Sequence, residues 1–196
     1  MVTGPTKAGK TFLVKKLIQN VSEMFNPAPQ EIWLCYSEWQ LAYHDLADKV
    51  KLVEGFPDLA SLRRNPEIPK LLVLDDLMEI VKQKSLSQLF TKGTHHGNIS
   101  CIHIVQNAFY QGLRTSRINV QYLILLKNPS DQLQASNLAR QLFPGKQEYF
   151  MESYADACKE AYGYLLVDLS QETPENMRLK TNIFPGQMLI VYVPKV

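Results

Sequence analysis

Short apolar runs alternate with segments of helical spacing along this chain. Four runs are mostly apolar, as in strands buried on both faces of a parallel sheet. They cover residues 32–36, 70–74, 99–105 and 120–126. Strands that alternate with helices in this way predict an α/β three-layer domain with a mainly parallel sheet.

Three helices are predicted along the chain: one before these strands, one between the second and third, and one after the last. The first extends up to Asn26-Pro27, the second covers residues 85–94, and the third follows Ser130 as its N-cap and ends before Pro144-Gly145. The first helix has apolar residues at Leu13, Val14, Leu17, Ile18, Val21, Met24 and Phe25, and the third at Leu133, Leu138 and Leu142. Residues 43–47 fit a helical turn and residues 51–53 a short strand.

The C-terminal part has a different pattern. Residues 162–169 and 178–184 are two apolar segments separated by a polar loop that contains Pro174. They predict an antiparallel pair at one edge of the sheet. Because the length fits one domain with room for a core, we expect one domain over residues 1–196, with a first strand that is nearly missing.

Composition places the chain among ordinary globular proteins. Its 196 residues are 45% hydrophobic, and 21 Lys and Arg against 19 Asp and Glu give a net charge of +2. This balance excludes a polybasic mode of partner binding for the whole chain. No apolar run reaches the roughly 18 residues that span a bilayer, and no secretory signal opens the chain, so we expect a cytoplasmic or nuclear protein. Three distant cysteines indicate buried thiols.

The strongest chemical signal is a phosphate-loop motif near the N-terminus. The pattern G-x-x-x-x-G-K-[ST] is matched by Gly4, Pro5, Thr6, Lys7, Ala8, Gly9, Lys10 and Thr11. Backbone amides of such a loop cradle a polyphosphate, the lysine lies near its β and γ oxygens, and the threonine hydroxyl serves Mg²⁺. The alternative is a glycine turn with an incidental lysine.

A strand of about five residues should precede this loop. Only Met1, Val2 and Thr3 do so. Either the first strand is very short or the chain lacks its true start.

Polar residues follow two of the apolar strands. Asp75 and Asp76 end the strand at 70–74, where the first acid would hold Mg²⁺ and the second would polarise the attacking water. Gln106 ends the next strand and would orient that water or sense the γ-phosphate. The alternatives are a strand end that caps the next helix and a glutamine that caps a loop. Asn107 and Asn128 are weaker candidates.

Arginines and histidines give less specific signals. Arg114 and Arg117, expected in a loop, could stabilise the γ-phosphate of a neighbouring subunit, cover phosphates as a lid, or be solvated. Arg140 is expected to form a structural ion pair. The spacing of His95, His96, Cys101 and His103 fits no standard four-ligand zinc pattern. Five aromatic residues are expected mostly to pack in the core or at an edge and not to form a base-stacking platform: Tyr149, Phe150, Tyr154, Tyr162 and Tyr164.

Taken together, these motifs resemble the viral genome-packaging ATPases of the FtsK/HerA superfamily. The nearest similarity is to poxvirus-type enzymes and their relatives in Polinton-like (Maverick) elements and adintoviruses. The segments that carry it are GPTKAGKT, LLVLDDLM, LFTKGTHHGNISCIHIVQN, YLILLKNPSD with LARQLFP, and YGYLLVDL. The resemblance covers nearly the whole chain.

The resemblance implies an ATPase with strand order 5-1-4-3-2 that forms homo-oligomeric rings and drives double-stranded DNA into a preformed capsid. It assigns ATP and Mg²⁺ to Lys10 and Thr11, the metal to Asp75, the water to Asp76 and the sensor to Gln106. Arg117 and Arg114 rank ahead of Arg140 as the arginine supplied to a neighbouring subunit. Capsid proteins are further implied partners, and a membrane is not.

Two departures accompany the short first strand. The second acid is Asp76, where many hydrolases have the longer Glu, and no separate DNA-binding domain follows, so DNA contacts would come from loops that line a ring. Two alternatives stay open: a small-molecule kinase with Arg114 and Arg117 as its lid, and a decayed nucleotide-binding remnant of an integrated viral element.

Overall fold

The computed structural model describes residues 1–77, 98–109 and 113–195, together with Leu89. The chain forms two compact units. Unit 1 comprises Met1–Lys10, Gln106–Phe109 and Val120–Val196, and unit 2 comprises Thr11–Val105 and Tyr110–Asn119. The helix expected over residues 85–94 lies outside the described residues, except for the buried Leu89. The single domain stays a prediction.

Unit 2 contains a parallel sheet of four strands. Its strands are β2 (Glu31–Tyr36), β3 (Lys51–Glu54), β4 (Lys70–Asp75) and β5 (Ile99–Val105). The order is β3-β2-β4-β5, and all three pairs are parallel. Strand β4 is buried along its whole length, because it lies between two strands and carries four successive apolar side chains. Its Asp75 therefore comes to the carboxyl end of a central strand.

The core of unit 2 includes side chains from three of these strands. Leu72 and Leu74 of β4 pack with Trp33 and Cys35 of β2 and with Ile99 of β5. The amphipathic stem of Lys70 is also buried, and its Nζ donates hydrogen bonds to the carbonyl oxygens of Asn65 at 2.6 Å and Ile68 at 3.3 Å. These carbonyls satisfy the buried ammonium group.

Helices of unit 2 are short after the first one. Among the described residues of this unit they are α1 (Lys10–Gln19, whose first residue belongs to unit 1), α2 (Val21–Met24), a 3₁₀ helix (Leu41–Leu46), α3 (Leu59–Leu62) and α4 (Arg114–Ile118). The helical turn expected at residues 43–47 and the short strand expected at residues 51–53 are confirmed.

The single helix expected up to Asn26 is wrong, because the helix breaks at Asn20. The side-chain amide of Asn20 donates to the carbonyl of Lys16 at 2.8 Å, and its backbone N–H bonds to Leu17 instead. A side chain that competes for the helical carbonyl in this way ends the regular ladder. Accordingly, α2 buries none of its residues.

Unit 1 contains a mixed sheet of five strands. Its strands are β1 (Val2–Thr3), β6 (Tyr122–Leu126), β7 (Tyr164–Asp168), β8 (Leu179–Thr181) and β9 (Ile190–Tyr192). The order is β1-β6-β7-β8-β9; β1 is parallel to β6 and the others are antiparallel. The expected antiparallel pair is confirmed, and β9 adds a strand that the sequence did not predict.

Two helices, α5 (Gln132–Leu142) and α6 (Gln147–Ala157), pack against each other in unit 1. The end of α5 before Pro144 is confirmed. Its N-cap, however, is Asp131, whose carboxylate accepts from the N–H of Gln134 at 3.2 Å, and not Ser130. The buried face lies at Ala135 and Leu138, so Leu133 is 74% exposed and its expected burial is wrong.

The strand order agrees with the implied one inside each unit. In unit 2, the neighbours β2, β4 and β5 correspond to strands 2, 3 and 4 of the implied order. In unit 1, the neighbours β1 and β6 correspond to its strands 1 and 5. A 3₁₀ helix (Glu175–Met177) precedes β8. Among the described residues, no helix has the length and apolar character that crossing a membrane requires.

Candidate nucleotide-binding site

The segment between β1 and α1 has the backbone conformation of an anion-binding loop. Lys7 and Gly9 have φ values of +65° and +93°, and the N–H of Ala8 bonds to the carbonyl of Pro5 at 3.2 Å. Left-handed residues among right-handed ones turn successive N–H groups toward one side, which makes a concave anion site. At Gly4, a Cβ atom would lie 3.0 Å from Cβ of Leu126, so the loop lies close to β6.

Lys10 places its charge on this loop. Its Nζ donates to the carbonyl oxygens of Gly4 and Pro5, both at 2.8 Å. The side chain therefore curls back from the first residue of α1 over the residues that begin the loop. An ammonium group held there adds positive charge where the helix dipole and the N–H groups already favour an anion.

The next residue along the chain contacts the first acid. The hydroxyl of Thr11 donates to Oδ2 of Asp75 at 3.3 Å. Asp75 is only 3% exposed. A hydroxyl and a carboxylate are the hard oxygen donors that Mg²⁺ prefers, and their proximity fits a site in which both contribute to holding the ion, directly or through its water shell.

Asp76 adopts an unusual backbone conformation just after β4. Its φ is +52°, and its N–H bonds to the carbonyl of Ile104 at 3.4 Å. A left-handed aspartate is uncommon, and such strained residues cluster at functional sites. The side chain is half-buried, so water can reach the second carboxylate.

Tyr43 is a site residue that the sequence did not indicate. It comes from the 3₁₀ helix after β2, is fully buried, and donates from its hydroxyl to Oδ2 of Asp75 at 2.7 Å. Burial and the adjacent carboxylate raise the pKa of this phenol well above its ordinary value, so it remains a proton donor. Its ring packs against Tyr36 and Trp39, with centroids 5.3 and 5.8 Å away.

The other strand-end amides have different surroundings. Gln106 follows β5 and is exposed, so its side chain is accessible to a ligand. Asn107 accepts a hydrogen bond from the N–H of Phe109 at 2.7 Å, which is a local turn. Asn128 is buried and accepts from Ser130 and from the N–H of Asp131, so it shapes the start of α5.

The arginine candidates lie on helices. Arg114 and Arg117 belong to α4, so their expected place in a loop is wrong; Arg114 is exposed and Arg117 is half-buried. Arg140 is exposed in the last turn of α5. It has no ion pair with any of the described residues, which differs from the structural pair expected for it.

The zinc candidates are only partly described. His95 and His96 lie outside the described residues. His103 is buried, its Nδ1 lies 3.1 Å from the hydroxyl of Ser116, and burial lowers its pKa to about 3. Within the described ranges, no three His, Cys, Asp or Glu residues are grouped to hold a metal ion.

Comparison with known proteins gives a likeness of fold. No protein-family model and no curated protein matches the chain. The cytoplasmic domain of the type VII secretion ATPase EccC of Thermomonospora curvata has 14% sequence identity and a TM-score of 0.55 over 100% of this chain, which spans 24% of that structure. A KaiC-like protein of Pyrococcus horikoshii OT3 has 14% identity and a TM-score of 0.49, with 97% and 88% of the two chains covered.

The fold class expected from the sequence is confirmed. The chain has an α/β fold of the P-loop NTPase type, similar to that of the EccC domain, with mostly parallel strands and antiparallel strands near the C-terminus.

Proposed function

We propose that this chain is a Mg²⁺-dependent ATPase that couples hydrolysis to the translocation of double-stranded DNA, as in the packaging of a viral genome. Residues 4–11 bind the phosphates of ATP, Lys10 neutralises charge at the β- and γ-phosphates, and Thr11 and Asp75 hold Mg²⁺. Asp76 polarises the attacking water and Gln106 orients it. Magnesium supplies the electrostatic stabilisation of the transferred phosphoryl group.

The observation that carries the ATPase part is the 3.3 Å contact between Thr11 and Asp75. Two residues 64 positions apart, one in the phosphate-loop motif and one at the end of a buried strand, lie within hydrogen-bond distance of each other, as two ligands of one magnesium ion would. A glycine turn with an incidental lysine gives no reason for this contact. The fold shared with a secretion ATPase also supports the proposal.

The translocase part rests on the resemblance of the motifs. We propose a homo-oligomeric ring in the cytoplasm or nucleus, in which Arg117 or Arg114 of one subunit reaches the nucleotide of the next. Contacts with DNA come from loops that line the ring and are independent of base sequence. Capsid proteins are further proposed partners. Such phosphate contacts weaken as salt is raised.

The test is steady-state ATP hydrolysis with and without double-stranded DNA. We expect DNA to stimulate wild-type hydrolysis, with less stimulation at high salt. Asp76→Asn should lower the rate about 100-fold or more while ATP still binds, because only the water-polarising group is lost. Lys10→Ala should weaken ATP binding itself. Asp48→Asn and Lys49→Ala are matched controls, since both side chains are exposed and distant in sequence from the motifs.

Each other outcome contradicts a named part of the proposal. A rate of ATP hydrolysis that DNA does not change would contradict the translocation part. Transfer of phosphate to a nucleoside or nucleoside monophosphate would instead favour a small-molecule kinase. Absence of hydrolysis in the wild type would favour a decayed remnant.

A further inference from the structure

An aromatic ring lies against the phosphate loop within unit 1. Tyr162 is in the turn between α6 and β7, and a methyl group on Gly9 would approach its Cδ1 to 3.0 Å and its Cβ and Cγ to 3.7 Å. Gly9 is the glycine directly before Lys10 in the loop motif. The ring is therefore in contact range of the backbone that is proposed to hold the phosphates.

The turn that carries Tyr162 has a fixed geometry. The N–H of Gly163 bonds to the carbonyl of Glu160 at 3.2 Å, and the carbonyl of Gly163 accepts from the N–H of Lys127 at 3.0 Å. A Cβ atom at Gly163 would lie 2.5 Å from the carbonyl oxygen of Ala157, which leaves no room for a side chain. The backbone next to Tyr162 is thus held in place by close packing.

Tyr162 also has a backbone conformation that other residues adopt more easily. Its φ is +61°, in the left-handed region where glycine and asparagine are favoured and bulky residues are outliers. A tyrosine in this conformation costs stability relative to glycine. The strain is consistent with a role for the aromatic side chain itself.

Apart from its approach to Gly9, Tyr162 is largely exposed to solvent. From the sequence, Tyr162 is expected to pack in the core or at an edge and not to take part in base stacking. It is not buried in a core, because 67% of it is exposed, whereas Tyr154 from the preceding helix is 8% exposed. One part of the Tyr162 ring meets Gly9 and the remainder is open to a ligand.

We propose that Tyr162 stacks on the base of the nucleoside triphosphate whose phosphates are held by residues 4–11. The inference rests on the proposed nucleotide site. Stacking tolerates any base because each has a π-face, and its strength grows with the size of that face. Tyr162 thus favours purine over pyrimidine nucleotides, and it contributes to binding only when the ligand carries a base.

The test compares two ligands that share the phosphates and differ in the base. Dissociation constants of Mg²⁺-ATP and of Mg²⁺-tripolyphosphate are measured by calorimetry for the wild type and for Tyr162→Ala, Tyr162→Phe and Tyr122→Ala. Tyr122 is a matched control because it is a tyrosine of the same unit and is 50% exposed. We expect Tyr162→Ala to weaken ATP about tenfold and to leave tripolyphosphate unchanged. Tyr162→Phe and Tyr122→Ala should bind both ligands as the wild type does.

Other patterns overturn the inference. Equal weakening of both ligands in Tyr162→Ala means that the ring only supports the loop, and no weakening means that it does not touch the base. Wild-type protein that binds tripolyphosphate as tightly as ATP also excludes a base contact. Because these are binding measurements, they stay separate from the ATPase proposal, which fails when ATP binds but is not hydrolysed. Thermal unfolding of each variant confirms that it is folded.

Discussion

The hydroxyl of Tyr43 donates a hydrogen bond of 2.7 Å to Oδ2 of Asp75, the same oxygen that accepts from Thr11. Of the two donors, Tyr43 is the closer and the more deeply buried. A metal ion that recruits Thr11 and Asp75 can leave the tyrosine bond in place, so Tyr43 fixes the orientation of the carboxylate. Partners behind metal ligands commonly act in this way.

Removal of this hydroxyl should weaken the response to magnesium. We expect Tyr43→Phe to raise the Mg²⁺ concentration for half-maximal ATP hydrolysis about tenfold, because Asp75 loses its positioning partner while the ring remains. A Mg²⁺ titration of the rate measures this effect, and Mn²⁺ binding followed by electron paramagnetic resonance gives a second readout. Tyr36→Phe is the control, since Tyr36 belongs to the same aromatic cluster. Equal magnesium dependence in both variants would contradict the positioning role.

Gly9→Ala should destabilise unit 1 more than an alanine at a comparable glycine of unit 2. Gly9 and Gly55 both have positive φ, +93° and +79°, so an alanine at either costs about 1 kcal/mol for conformation. Only at Gly9 does the added Cβ meet another side chain, because nothing lies within 4 Å at Gly55. Urea unfolding of Gly9→Ala and Gly55→Ala should show this difference. Equal losses would mean that Tyr162 moves aside without cost.

Asp168 should make stability depend on pH in acid. Burial alone would raise its pKa, but hydrogen bonds from Lys180, Ser170 and Thr173 outweigh burial and lower the pKa from 3.8 to about 2. A carboxyl group with a lowered folded-state pKa stabilises the protein above its unfolded pKa, and this contribution disappears as pH falls through the folded value. It amounts to about 2 kcal/mol above pH ~4.

Urea unfolding between pH ~6 and pH ~2 tests this expectation. At pH ~6, the free energy of unfolding of Asp168→Asn should be about 2 kcal/mol lower than that of the wild type. This difference in free energy should become smaller as the pH falls from ~4 to ~2. A gap that stays constant with pH would contradict the proposed cause.

All three cysteines should resist alkylation in the folded protein. Burial raises the pKa of Cys35, Cys101 and Cys158 to about 12 each. Little thiolate, the reactive form, is then present at neutral pH. Mass spectrometry after iodoacetamide treatment at pH ~8 should find little labelling of the native protein. In urea, all three cysteines should be labelled. Rapid labelling of a native cysteine would show that its segment opens.

Local sequence patterns predict the elements whose burial is uniform. Strand β4 is predicted because its apolar run continues until Asp75, and Leu13, Val14, Leu17 and Ile18 are correctly placed on the buried side of α1. The phosphate loop is predicted from its motif, since two glycines, a lysine and a threonine at this spacing rarely coincide by chance at the start of a helix.

Long-range contacts and short-range competition limit what the sequence predicts. Tyr43 meets Asp75 across 32 residues, and no local pattern encodes that bond. Helix α6 is not predicted because it buries only Phe150, Ser153 and Tyr154, and its remaining residues are largely polar. At the start of α5, Ser130 and Asp131 are both good caps. The hydroxyl of Ser130 donates a hydrogen bond to the side-chain oxygen of Asn128, and the carboxylate of Asp131 caps the helix instead.

The C-terminal strands also protect the protein from aggregation through exposed strand edges. Strand β6 has four successive buried apolar residues, and as an outer strand it would offer its backbone to any other extended chain. Strands β7 to β9 cover it and leave at that side only β9, which has three residues. At the outer strand of unit 2, β3 has four residues and begins and ends with the exposed charges of Lys51 and Glu54. Short or charged outer strands are poor templates for β-aggregation, so a chain shortened before residue 164 should form fibrillar aggregates far more readily than the intact one.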